Sequence, residues 1–216
     1  MSIPFRTEDD VGAAIPRVRR HLGGGGLLGY PTETVYGLGS RATEADVLRL
    51  AALKGRRPGK PFLLLIASRA MAEQRGLQFT PAAKTLAGTF WPGPLTLVLA
   101  GGEGRLPDLL RGPEGGIAVR WTAHAGMARV IAALNEPLTS TSANRPGGPT
   151  APGAPALEAQ FAHAVQDGTL MVLDGGAMGN VPPSTVVDCT SPTPRLVREG
   201  AIPRAELQRR AAGHAP

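Results

Sequence analysis

Leu27-Leu28-Gly29-Tyr30, followed by Pro31-Thr32-Glu33-Thr34-Val35-Tyr36-Gly37-Leu38-Gly39-Ser40, sets an apolar run of strand length against a polar segment with two glycines. That pattern predicts a buried strand delivering a loop. Toward the N-terminus, Thr7 with Asp10 has the form of a capping box, and Val11, Ala14, Val18 and Leu22 recur at helical spacing. Pro16 lies inside this helix, and Gly23 to Gly26 end it. Toward the C-terminus, Thr43 with Asp46 caps a second helix that ends near Lys54, with Val47, Leu50, Ala51 and Lys54 on one side.

Further out, Phe62 to Ile66, Leu95 to Ala100 and Ile117 to Arg120 read as strands, and Pro81 after Thr80 fits the first position of a helix. Ala123 to Leu134 has helical periodicity, Pro137 to Ser140 is extended, and Arg145 to Pro155 is a Pro/Gly loop before a helix from Ala156 to Gln166. Leu170 to Leu173, Thr185 to Val187 and Arg195 to Val197 complete the strands. Such alternation predicts an α/β layered domain with a mixed sheet. A length of 216 residues suits one domain, 1–202, followed by a charged, peripheral helical tail, 203–216, that frays by Gly213. No internal repeat is present.

The chain is 42% hydrophobic and 19% charged, enough apolar material for a core and too much for a disordered polymer. Its 29 Gly and 21 Pro follow no collagen period and imply many loops. At 4% aromatic it is poorly suited to a base-stacking surface. The net charge of +6 is unevenly spread: from Val47 to Ala72 stand Arg49, Lys54, Arg56, Arg57, Lys60 and Arg69, with no acidic residue. This is either a polyanion site or a solvated basic face compensated in space by carboxylates elsewhere.

Cys189 is alone, which excludes an internal disulfide, a CxxC redox pair and a multi-cysteine zinc site. The histidines at 21, 124, 163 and 214 lack metal-ligand spacing, so no structural metal is expected. The acidic N-terminus and the lack of 18 consecutive apolar residues point to a cytoplasmic protein without a membrane segment. Gly24, Gly26 and Gly29 satisfy GxGxxG but precede a strand, whereas a dinucleotide site needs them between strand and helix. Gly55 to Lys60 is one residue short of a Walker loop, and Pro61 replaces its Ser or Thr. Neither a GxSxG elbow nor a plausible Cys/His pair supports nucleophilic catalysis.

Segments rich in hydroxyls and cations remain: Tyr30 to Gly39, Lys54-Gly55-Arg56, Trp91-Pro92-Gly93-Pro94-Leu95-Thr96, and Ser140-Thr141-Ser142-Ala143-Asn144. From about Leu27 to Gly200 the chain closely resembles the YrdC/TsaC family of threonylcarbamoyladenylate synthases. The resemblance implies a YrdC-like twisted mixed sheet flanked by helices around a large basic cavity. It implies a magnesium-assisted condensation of L-threonine, bicarbonate and ATP to threonylcarbamoyl-AMP and pyrophosphate. A downstream transferase complex then modifies tRNA beside the anticodon, with weak tRNA or RNA binding by the synthase itself. Such chemistry needs positioning and charge neutralisation more than a protein nucleophile.

By the same resemblance Lys54 and Arg56 are catalytic cations on the ATP phosphates, and Lys60, Ser142, Asn144, Thr150 and Arg198 are further nucleotide contacts. Thr34, Arg120, His124 and Ser184 match the threonine side, Arg120 as a carboxylate clamp. Thr32 and Tyr36 shape the loop. Read without the resemblance, Lys54 and Arg56 fit a helix C-terminus, Ser-Ala-Asn a turn, Arg120 a strand-end salt bridge, Arg198 a surface charge and His124 a helix cap.

The chain departs from the family at Arg57, where Pro is usual, at Leu65, where many members carry a His, and at Trp121 and Ala125. It looks like the short, single-domain form. Two other readings stand beside this one: a non-catalytic RNA-binding protein, and a carbamoyl-adenylate-forming paralogue.

Overall fold

Thr7 opens the first helix as a reciprocal cap: its hydroxyl accepts the Asp10 N–H at 3.1 Å, and the Asp10 carboxylate accepts the Thr7 N–H at 3.0 Å. The structure is a computed structural model that describes residues 2–55, 61–179 and 181–212. Helix α1 (Glu8–Gly23) carries Pro16 within it and buries Val11, Ala14, Val18 and Leu22, the four positions of its apolar stripe. Thr43 likewise caps α2 (Glu44–Lys54), which ends at Gly55 in the left-handed conformation, φ 62°.

The remaining helices are α3 (Arg69–Gln74), α4 (Pro81–Phe90), α5 (Ala125–Leu134), α6 (Ala154–Gln160), α7 (Ala162–Gln166) and α8 (Arg204–Ala212). The expected helix from Ala156 to Gln166 is therefore two, broken at Phe161, whose ring is fully buried. Helix α8 packs on α4 with Leu207 buried.

The strands are β1 (Ile3–Pro4), β2 (Leu27–Tyr30), β3 (Gly37–Gly39), β4 (Leu63–Ile66), β5 (Leu77–Gln78), β6 (Leu95–Gly101), β7 (Ile117–Trp121), β8 (Leu138–Ser142), β9 (Leu170–Asp174), β10 (Thr185–Asp188) and β11 (Arg195–Arg198). They form one mixed sheet in the order β1-β9-β2-β3-β8-β4-β7-β6-β10-β11, with β5 paired to β6. Pairs β1/β9, β9/β2, β4/β7 and β6/β10 are parallel and the others antiparallel. Helices α1 and α2 pack on β2, α5 and α3 on β4, α4 on β6, and α6 and α7 on β9.

Gly37 to Gly39, expected within a loop, is a strand held between β2 and β8. A side chain at Gly39 would place its Cβ 2.1 Å from the Thr139 carbonyl oxygen, so glycine is what allows the two backbones to meet.

Register fixes what each face carries. Val186 lies opposite Thr96, Val98 opposite Ala118, Leu65 opposite Arg120, Leu63 opposite Ser140, and Gly37 opposite Ser142. With a side-chain period of two, these residues share one face of the sheet, and the intervening Leu97, Val119, Leu64, Thr139 and Leu38 lie buried on the other. The first face holds the site.

Candidate active site

A cleft of about 380 Å³ opens on that face, lined by Leu63, Thr96, Ala118, Ser140 and Val186 from the strands and by Thr34, Thr150, Ser184 and Arg198 around them. A second hollow of about 440 Å³ adjoins it and shares Thr34, Val35, Thr150 and Pro183. A separate apolar groove of about 450 Å³ between α4, α8 and β11, lined by Leu86, Leu196 and Leu207, shares no residue with either.

The loop after β2 is built around the Thr32 hydroxyl. It accepts the N–H groups of Thr34 and Val35, each at 3.2 Å, and donates to the Val35 carbonyl at 2.7 Å. The Thr32 and Thr34 hydroxyls lie 3.1 Å apart. The Thr34 oxygen accepts from Arg120, from Nη1 at 3.1 Å and Nη2 at 3.2 Å. Tyr36 fastens the far end of the loop, donating to the Gly176 carbonyl and accepting from the Gly175 N–H, both at 3.0 Å.

Arg120, at the end of β7, is 4% exposed. Its Nε donates to the Gly93 carbonyl at 3.2 Å, and its Nη2 pairs with Glu33 Oε1 at 2.8 Å. The Trp91-Pro92-Gly93-Pro94 turn is held for this purpose: the Trp91 indole donates to the Leu95 carbonyl at 2.7 Å, and the Gly93 N–H to Trp121 at 2.8 Å. Among the described residues four of the five guanidinium N–H bonds therefore have protein acceptors, and one on Nη1 remains. The salt bridge read without the resemblance is present, with Glu33 as its partner.

Glu33 received no role from the sequence. Its carboxylate pairs with Arg120 and also accepts the Thr122 hydroxyl at 2.5 Å and the Ala123 N–H at 3.0 Å. Burial pushes its pKa up, but the Arg120 charge and these hydrogen bonds outweigh burial and hold it below the usual carboxylate value. The one legible signal was an acidic residue amid hydroxyls in the loop, with its partner 87 residues away in sequence.

Ser184 sits at the start of β10, its hydroxyl 2.8 Å from that of Thr96, and its carbonyl accepts from Arg198 Nη2 at 2.8 Å. Arg198, on β11, stands at the rim of the cleft. Partial desolvation and the nearby Arg120 charge lower its pKa.

Ser142 and Asn144 form a turn at the end of β8, where the Ser142 hydroxyl donates to Asn144 Oδ1 at 2.6 Å and the Asn144 amide to the Gly148 carbonyl at 2.7 Å. Lys54 points into this turn. Its buried ammonium donates to the Ser142 carbonyl and to Asn144 Oδ1, both at 2.5 Å, and to the Asn144 carbonyl. An ammonium has three N–H bonds, and here each has an acceptor. Lys54 thus holds the turn through neutral oxygens, and its positive charge lies beside Ser142 and Asn144.

His124 also stands elsewhere. It caps α5, its Nδ1 accepting the Met127 N–H at 3.3 Å, and it stacks on Phe5 at 6.0 Å between ring centroids. Burial lowers its pKa, against the opposing pull of Glu33. The alternative of a helix cap describes it. Arg56 and Lys60 lie outside the described residues, as does Arg57. Among the described residues no cluster of three or more His, Cys, Asp or Glu could hold a metal ion, and no helix is long and apolar enough to cross a membrane.

Comparison with known proteins agrees with this arrangement. The sequence profile of the Sua5/YciO/YrdC family, described as "Telomere recombination", matches residues 20–200. A threonylcarbamoyl-AMP synthase of Chromohalobacter salexigens is 37% identical over 86% of this chain and 95% of its own length. One from Pyrococcus abyssi is 36% identical over 86% of this chain, which spans about half (53%) of that protein. The crystal structure of P. abyssi Sua5 complexed with L-threonine superposes with a TM-score of 0.85 at 34% identity, covering 97% of this chain and 60% of the other. The mixed α/β fold, the cleft on one face of its sheet and these matches have one reading in common: the chain belongs to the Sua5/YciO/YrdC family.

Proposed function

We propose that this protein is an L-threonylcarbamoyladenylate synthase. The observation that carries the reading is convergence. Thr34, Ser142, Thr150, Ser184 and Arg198, far apart in sequence, line one cleft, and Arg120 and Asn144 are hydrogen-bonded to its walls. The relatives named threonylcarbamoyl-AMP synthase and the threonine complex of P. abyssi Sua5 support it.

In this reading the threonine carboxylate meets the open Nη1 edge of Arg120, with Thr34 and Ser184 beside it. The threonine amine adds to carbon dioxide drawn from bicarbonate and loses a proton to give the carbamate. A carbamate oxygen then attacks the α-phosphorus of ATP and pyrophosphate leaves. ATP enters as its magnesium complex along Ser142, Asn144, Thr150 and Arg198, and Arg56 and Lys60 complete this set on the strength of the sequence resemblance. Lys54 serves it indirectly, by fixing the 142–144 turn. Catalysis is then orientation plus charge neutralisation. The product passes to a transferase that modifies tRNA next to the anticodon, in the cytoplasm.

The test is mass spectrometry of the protein incubated with ATP, magnesium, bicarbonate and one amino acid at a time, with pyrophosphate release followed in parallel. Threonylcarbamoyl-AMP formed only when threonine and bicarbonate are both present is the expected result. Folded protein that binds ATP but forms no adenylate would instead favour RNA binding, and an adenylate formed from carbamoyl phosphate would favour the paralogue.

A further inference from the structure

Arg120 has charge enough to hold a carboxylate, but a buried guanidinium on a strand end has several rotamers and no reason of its own to keep one orientation. Its orientation comes from three groups. Gly93 takes Nε, Thr34 takes one N–H from each terminal nitrogen, and Glu33 takes the second N–H of Nη2. Only Glu33 brings opposite charge, and only Glu33 is itself fixed from a third element, by the Thr122 hydroxyl and the Ala123 N–H between β7 and α5.

We infer that Glu33 is a positioning residue for the amino-acid substrate: it locks the guanidinium of Arg120 so that the remaining Nη1 N–H is the one left for the incoming carboxylate. The inference rests on the proposed threonine site at Arg120. Glu33 does not touch the substrate. Its anchors keep it from following Arg120 toward a ligand, so the pair acts as a fixed mount, and among the described residues its hydrogen bonds go to Arg120, Thr122 and Ala123.

The experiment compares wild type with Glu33→Gln in steady-state assays of pyrophosphate release, varying threonine and ATP separately, together with calorimetric titration of threonine. Loss of one charge-assisted contact is expected to raise the KM for threonine about 10- to 100-fold. The KM for ATP should stay within about threefold, and kcat at saturating threonine should be largely kept. Glu33→Asp, which retains the charge on a shorter arm, should recover part of the loss. Thr122→Val removes one anchor of Glu33 without altering charge, should produce a smaller shift in the same direction, and decides the matter if Glu33→Gln does not fold. An unchanged or lowered KM for threonine, or an equal rise in both KM values, would overturn the inference. Wild-type protein that binds threonine but makes no adenylate would refute the functional reading alone, and the calorimetric comparison would still test Glu33. Wild type that does not bind threonine would overturn both.

Discussion

The Lys54 ammonium donates to Asn144 Oδ1 at 2.5 Å, joining the last residue of α2 to the turn after β8 across 90 positions of sequence. Together with its bonds to the Ser142 and Asn144 carbonyls, it makes a basic residue of a charge-rich segment into an internal tie. Lys54→Met would leave buried acceptors unmatched and is expected to cost about 2 to 4 kcal/mol of stability. Asn144→Ala should cost about 1 kcal/mol less in the Lys54→Met background than in wild type, because the two side chains act as a unit. Urea denaturation of the four proteins in the cycle measures this, and additive losses would contradict the tie.

Glycine at 39 is a steric requirement, since an added Cβ would meet the Thr139 carbonyl oxygen at 2.1 Å. Gly39→Ala forces backbone apart in the middle of the sheet and is expected to destabilise by about 3 kcal/mol or more. Gly88, on the exposed side of α4, has nothing within 4 Å of the same position. Gly88→Ala should therefore stabilise by about 0.5 to 1 kcal/mol. Thermal unfolding of both variants checks the contrast.

Much of the fold was legible in the sequence, because α1, α2, α4 and α5 follow apolar periodicity and carry side-chain caps. Strands β1 and β5, of two residues each, are too short to show alternation, and α3 falls just after a strand with six residues of its own. Strand β3 was hidden because glycine carries no propensity signal for a strand, and only its neighbours in space explain it. The resemblance named the cleft residues, yet residue type alone could not say where a charge is directed. Lys54 and His124 belong to motif-like positions, and geometry turns one into a tie and the other into a cap. Glu33 was missed for the converse reason, since its partners lie on another strand.

Glu33 also predicts a pH effect. Its folded pKa lies below its ordinary value of 4.5, so its stabilisation is fully present above that value and is lost as pH falls through the folded pKa. Wild type should therefore lose stability more steeply below about pH 4.5 than Glu33→Gln does. Denaturant midpoints measured between about pH 3 and 7 test this, and parallel curves for the two proteins would refute the role of the charge.

The cleft proposed to take threonine offers Leu63, Ala118 and Val186 beside its hydroxyls, a surface that can accommodate a methyl group. Serine differs from threonine by that methyl, so a preference for threonine of about 10- to 200-fold is expected, with measurable serine use. Valine should be rejected more strongly, because polar groups placed to meet a hydroxyl would be left unpaired. Competition assays with paired amino acids, read as the ratio of adenylates formed, give these values directly.

Arg198 lies on β11, the terminal strand of the sheet, joined to its neighbour β10 through a shifted register near Val186 and Val187. An edge strand with one partner opens more readily than an interior one, and when β11 frays the rim of the cleft loses its cation. With the nucleotide bound as proposed, an anionic ligand bridging Arg198 to the interior would work as a missing neighbour for β11, and slower amide exchange along 195–198 is expected.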